Sequence, residues 1–492
     1  MRDRSQFFFK VSSEAQDFDF SKYSTKHSHK TPRSIFLSND ENIRARQNGE
    51  WLEIHIGTPS LFNACIKWHE PTSRLEVQTD RFGLQSVFYH DSGPTVYIAG
   101  QIDTLAKTLP SAELSPRAMA FYLMAGFLPP GWTFWQKINR VKQCSRWDLV
   151  QRKSTHEDSG AWEPRIRKPS ISAPAMIEIL KDSLSLIRSE IGPDEIRLSG
   201  GVDSRVVSYL WNAPIDAVVV KSPWMKSGED LDVNLATRWA KLRNMPMRTF
   251  VPTDSTFAFF QEPTAKPMLT GLCGGEFLGG QFELEIPSQT TNWDAILAEH
   301  FPKSFGDIFR YDEWVVSVRS DSEKWRNEAA RVYLQSARST IYRSFSGSWA
   351  IPLELHTEVV SPFVTPAFLE TFLDSIGEWG NYQFYADVFR ALGPDVASLP
   401  LSSLITRQIS SLAPGAEWGV EPKGARPPAK AVPLSTDAIA QWASVMSENG
   451  VSLSVEDANY LLAKSPLRLN ALTLFSWLKT RGLIQDERNR RV

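Results

Sequence analysis

Long apolar runs are missing from this 492-residue chain. No stretch approaches the about 18 to 20 unbroken apolar residues that a membrane-spanning helix needs, so a membrane partner is not expected. Cysteine is scarce. Cys65, Cys144 and Cys273 are odd in number, far apart and without metal-ligand spacing. This excludes a disulfide scaffold and suits a reducing compartment. The eight histidines are scattered and show no zinc spacing. Net charge is nearly absent too: a formal −2 gives no electrostatic reason to expect nucleic acid or an anionic surface as partner. The opening Met1-Arg2-Asp3-Arg4 mixes both charge signs and leads only to the brief apolar patch Phe7-Phe8-Phe9, which does not read as a signal peptide. The expectation from these absences is a soluble, cytoplasmic protein.

What is present is an ordinary globular composition, 42% apolar and 22% charged, on a chain too long for a single core. Residues 1–161 contain short strand-like runs, at 51–56, 75–79, 87–89 and 96–99, punctuated by turn residues, and then a helical stretch from Ser115 to Met124. That pattern predicts a largely antiparallel β domain. Residues 162–174, with prolines at 164, 169 and 174, read as a linker. From there to 492 the period changes. Ile177, Leu180, Leu184, Ile187 and Ile191 recur at helical spacing, and Gly192-Pro193 ends that helix. A short strand at 195–198, a glycine loop, a helix from about Asp203 to Trp211 and an apolar strand at 215–220 follow. Leu231, Leu235, Trp239 and Leu242 then mark another helix face. The alternation predicts a doubly wound α/β domain, mostly helical beyond Asn292, with an exposed basic loop at 421–433.

The loop Ser199-Gly200-Gly201-Val202-Asp203-Ser204 lies between a strand and a helix. Unpaired N–H groups of a first helical turn and the positive end of the helix dipole meet there, a setting suited to phosphate. Two glycines let the backbone approach a polyphosphate, and the serine hydroxyls add donors. Asp203 makes sense beside an anion if a magnesium ion bridges them. The string is neither a Walker loop nor a dinucleotide fingerprint. The bland alternative is a tight turn with Ser199 as a cap.

The string resembles the pyrophosphate loop of the ATP pyrophosphatase group, and the chain resembles the asparagine synthetase superfamily over most of its length. Thr79-Asp80-Arg81-Phe82-Gly83-Leu84-Gln85-Ser86-Val87-Phe88-Tyr89 is similar to the signature of that family's amino-terminal amidotransferase-type domain. Leu114-Ser115-Pro116 through Tyr122-Leu123, with Thr133-Phe134 and Ile138, resembles that domain's last helix and turn. Thr270-Gly271-Leu272-Cys273-Gly274-Gly275-Glu276-Phe277-Leu278-Gly279-Gly280 stands where the family has Ser-Gly-Glu-Gly-Ala-Asp-Glu-Leu-Phe-Gly-Gly, and Ser361-Pro362-Phe363-Val364 resembles its Val-Pro-Phe-Leu. The resemblance implies an antiparallel β-sandwich of amidotransferase type followed by an α/β ATP-pyrophosphatase domain with a helical extension.

It also implies ATP and magnesium as cofactors. Leu198, Ser199, Gly200, Gly201, Val202, Asp203, Ser204, Val220, Thr270 and Gly271 would line the nucleotide, and Asp203 with Glu276 would hold the metal. The departures are equally specific. The family's glutaminase nucleophile is a cysteine after the initiator methionine, where this chain has Arg2, and Cys65 reads as a buried structural thiol in a strand. Leu272 and Gly275 replace a glutamate and the second metal-binding aspartate. Glu276 either takes over the metal or caps a helix. Ile409 stands near the family's late lysine, with Arg407, Lys423 or Lys430 as substitute cations or as solvated loop charges. Such losses resemble the β-lactam synthetases and the lasso-peptide macrolactam cyclases, which join an amine and a carboxylate of one substrate. The implied function is an AMP-forming amide ligase with Asp203, Glu276 and Arg407 as catalytic residues. Its substrate is a small molecule or peptide, and in the lasso-type reading the partners are a precursor peptide and its leader protease. Two alternatives stay open: an amidotransferase using ammonia or an amino-sugar, and a nucleotide-binding pseudoenzyme that scaffolds a partner. Among the tryptophans, Trp224 falls nearest the expected adenylate pocket.

Overall fold

The computed structural model describes residues within 7–158, 171–221, 231–250, 267–279, 359–399 and 434–484, with gaps in the first, fifth and last of these. It is an α/β protein, with three sheets among the described residues.

Two of the sheets are antiparallel and six-stranded. One runs Asn139–Arg140, Phe88–Asp91, Thr95–Ala99, Phe7–Ser12, Ser34–Ser38, His27–Lys30; the other runs Lys153–Asp158, Ser145–Val150, Arg74–Thr79, Phe62–His69, Trp51–Thr58, Arg44–Asn48. Their shared core explains the spacing of the apolar residues. Phe7, Phe9, Val11, Phe36, Val96 and Ile98 come from one sheet, and Ile54, Ile56, Ile66, Leu75 and Val77 come from the other. Side chains alternate across a strand, so Phe8 points away from this core. There it meets Leu37, Phe88 and Ala99 under the helix Ile102–Thr108. The patch Phe7-Phe8-Phe9 is therefore a strand covered on both faces, which is why it lacks polar alternation.

The same alternation corrects the reading of Cys65. It lies mid-strand, as expected, but between buried Ala64 and Ile66, so its thiol sits half-buried on the outer face rather than in the core. Burial and nearby Glu53 and Glu76 push the thiol pKa up, with Lys67 opposing.

The helix Ala173–Glu190 begins four residues before its first expected apolar position, Ile177. Ser172 caps it, its hydroxyl accepting from Ala175 N, and Pro174 sits in its first turn, where a missing N–H costs nothing. It ends as expected, with Ile191 N and Gly192 N both donating to Ile187 O. On the helix Leu231–Leu242 the buried stripe is Leu235, Ala236, Trp239 and Ala240. Leu242 stands 53% exposed, because the helix ends before another turn can carry that stripe round.

The third sheet is wholly parallel, in the order Met247–Phe250, Asp216–Val220, Glu195–Arg197, Met268–Leu269, Val359–Val360. The strand order reverses between Glu195–Arg197 and Met268–Leu269, and these are neighbours. Beyond the sheet lie the helices Pro366–Asp374, Tyr382–Leu392, Thr436–Glu448, Val455–Ala463 and Leu467–Thr480. The last three share a core with the early helix Pro116–Ala125: Met119, Tyr122 and Leu123 are buried with Trp442, Leu461, Leu474 and Trp477. Among the described residues no helix is long and apolar enough to cross a membrane.

Candidate nucleotide site

In an open parallel sheet, helices leaving adjacent strands on opposite sides leave a crevice where the order reverses, at the carboxyl ends of the strands. The loop 199–204 occupies that position. Leu198, buried, continues the ladder one residue past its strand by donating from N to Val218 O at 3.0 Å. Gly201 then caps the helix Val202–Leu210 with no side-chain hydrogen bond of its own.

The loop's shape is fixed from within. Ser204 Oγ accepts from Ser199 N at 3.1 Å and lies 3.0 Å from Ser199 Oγ, which in turn accepts from Gly201 N at 3.1 Å. Ser204 is buried. Both hydroxyls thus brace the turn, so that any phosphate there would meet the main chain and the helix end rather than the serine side chains. Val220 ends the neighbouring strand, half-buried, at the same edge of the sheet.

The next strand across delivers the second segment. Thr270 N donates to Val360 O at 2.8 Å, and the chain then turns tightly, with Gly274 N donating to Gly271 O at 3.2 Å. Cys273 in this turn has φ of 69°, the left-handed region that a side chain disfavours. Gly271 lies flat against the loop: a Cβ there would sit 2.5 Å from Ser204 N and 2.6 Å from Asp203 C. Gly274 lies equally close to the Asp203 side chain, where a Cβ would be 2.6 Å from Oδ1 and 2.7 Å from Phe363 Cε2. Ser361 ties in the third segment, its hydroxyl donating to Leu272 O at 2.7 Å and accepting from Phe363 N at 3.3 Å. Segments 199–204 and 361–364, singled out separately in the sequence, are therefore both packed against 270–274.

Asp203 is half-buried in the first turn of its helix, and its Oδ1 accepts a hydrogen bond from Tyr385 Oη. Sequence reasoning missed Tyr385. It sits among apolar residues of the helix Tyr382–Leu392, wholly buried, and only its hydroxyl marks it. Arg205 was missed too. Buried two residues beyond Asp203, it donates to the main-chain carbonyls of Val396 and Leu399 and stacks 5.3 Å over Trp239. Desolvation pushes its pKa down to about 10, so it remains charged at neutral pH. Glu276 lies in the helix Gly274–Gly279, on the same segment as Gly271, with its side chain outside the described residues. Trp224, Arg407, Ile409, Lys423, Lys430 and the expected loop at 421–433 also lie outside them.

No family model matches the chain, and no curated protein does. Among solved structures it is similar to a glutamine phosphoribosylpyrophosphate amidotransferase from B. subtilis complexed with ADP and GMP, at 11% identity and TM-score 0.19, over 55% of this chain and 69% of that one. It is also similar to the allosteric regulatory enzyme of purine biosynthesis, at 8% identity and TM-score 0.21, over 53% of this chain and 77% of that one. At TM-scores of this size neither likeness bears on function.

Proposed function

We propose that the chain is an ATP-dependent amide-forming ligase of the asparagine synthetase type. The supporting observation is the placement of the glycine loop at the reversal point of the parallel sheet, with Gly271 packed against the start of its helix. In this reading residues 1–161 are an amidotransferase-type scaffold, 162–174 a connection and 175–492 the ATP-binding unit.

The first-turn N–H groups of the helix Val202–Leu210 have no intrahelical partners and hold the phosphates. Asp203 fits the role of one carboxylate facing a cation carried on a polyphosphate, the arrangement magnesium favours. Among the described residues no cluster of three or more His, Cys, Asp or Glu forms a metal cage of its own. Bound there, magnesium would neutralise charge developing on the phosphates.

In the reaction, a substrate carboxylate oxygen attacks the α-phosphorus of ATP and the bond to pyrophosphate breaks. An amine nitrogen then attacks the acyl carbon, AMP leaves with the bonding pair, and the nitrogen gives up a proton. An amine supplied by the same substrate would gain from proximity, as in a lasso-type macrolactam cyclisation. Glu276 and Arg407 are the further candidates for metal binding and for charge stabilisation.

Calorimetric titration of ATP with magnesium, on the intact chain and on Asp203→Ala, tests the reading. Binding that the substitution removes supports it, and pyrophosphate release with a carboxylate and amine substrate completes it. If the intact chain does not bind, the ligase reading falls, whereas binding without pyrophosphate release from any substrate pair favours the nucleotide-binding scaffold.

A further inference from the structure

Asp203 Oδ1 accepts a hydrogen bond from the Tyr385 hydroxyl, and Gly274 lies close against the same oxygen. Tyr385 is itself fixed. Its ring is wholly buried and packs edge-on against Phe389 at 5.9 Å, and its helix lies against both Ala173–Glu190 and Gly274–Gly279. A phenol hydroxyl donates to a carboxylate, and such a hydrogen bond is charge-assisted. A carboxylate so engaged is held in one orientation.

We infer that Tyr385 is a positioning residue of the nucleotide site: it holds Asp203 by Oδ1, so that the carboxylate is already oriented when a phosphate-borne cation arrives. The inference rests on the nucleotide reading above and extends it to a residue that touches neither phosphate nor metal. Its physical content is pre-organisation. An aspartate on an exposed first turn samples several rotamers, whereas this one is already ordered before ligand arrives, and the ordering entropy is not lost again on binding. Tyr385 should therefore set the metal dependence of nucleotide affinity, leaving the main-chain contribution of the loop untouched.

The test uses the full-length chain and its Tyr385→Phe variant, with ATP titrated calorimetrically in excess magnesium and again in excess chelator. Phenylalanine keeps the ring in place, and the melting temperature checks that the fold persists. In the wild type, magnesium is expected to tighten ATP binding. In Tyr385→Phe that gain should shrink about tenfold, the size expected for one charge-assisted hydrogen bond, while the metal-free affinity stays the same. An undiminished magnesium gain overturns the inference, and so does an equal loss in both titrations, which would mean a merely structural role. Failure of the wild type to bind ATP at all is a different result: it removes the nucleotide reading itself.

Discussion

In the antiparallel sandwich, each strand of the second sheet from Arg44 to Thr79 returns beside its predecessor, and both inner faces close on one another. The backbone polar groups are used up in the ladders, and the turns at the two ends are scattered. In the parallel sheet every strand points the same way, so the carboxyl ends and the helix starts gather along one edge. There the polar groups that the helices cannot satisfy internally are concentrated, next to the order reversal. Both regions bury apolar strands equally well, yet only the second creates a place where a ligand has something to replace.

The contrast can be broken by substitution. Phe9→Ala in the sandwich core should cost about 3 to 5 kcal/mol of stability, the usual penalty for emptying such a site. Denaturant unfolding would show it, and ATP affinity of the protein that remains folded should not change. Gly271→Ala should do the reverse in proportion. Its Cβ meets main chain, which must shift, at about 1 to 3 kcal/mol, and calorimetry should find ATP binding lost. An alanine variant that still binds ATP normally would show that the loop does not depend on its neighbour. Ser204→Ala removes the hydroxyl that braces the loop and should cost about 1 to 2 kcal/mol with a weaker nucleotide affinity, read in the same two assays.

Ser172→Ala, at an exposed helix cap far along the chain from the loop, should cost about 1 kcal/mol and leave binding alone. The smallest effect concerns Cys65. Its raised pKa leaves less thiolate at any given pH, so peptide-resolved alkylation at mildly alkaline pH should run slower than for a free cysteine. Faster labelling would contradict the burial assigned to it.

Much of this was legible in the chain. Helical spacing located the helix Ala173–Glu190, and the run at 215–220, apolar except for the exposed Asp216, located a parallel strand, because both signals arise within one element. The glycine loop was legible for the same reason: its residue types suit a strand-to-helix turn. What was not legible depends on distant segments. Tyr385 is one aromatic residue among several on the buried side of an amphipathic helix until that helix is laid against Asp203. Leu242 fits the periodicity and still points outward, since a repeat does not say where the neighbouring surface ends. The inward use of the Ser199 and Ser204 hydroxyls likewise follows from loop geometry that residue identity alone leaves open.

The core that joins the helix Pro116–Ala125 to the helices between Thr436 and Thr480 has a consequence for biosynthesis. A ribosome delivers Met119, Tyr122 and Leu123 long before Trp442 and Trp477. Until those arrive, part of the early helix's apolar face waits uncovered, and contacts of such wide separation form slowly. Nascent chains halted before residue 436 should therefore be the forms of this protein most in need of a chaperone.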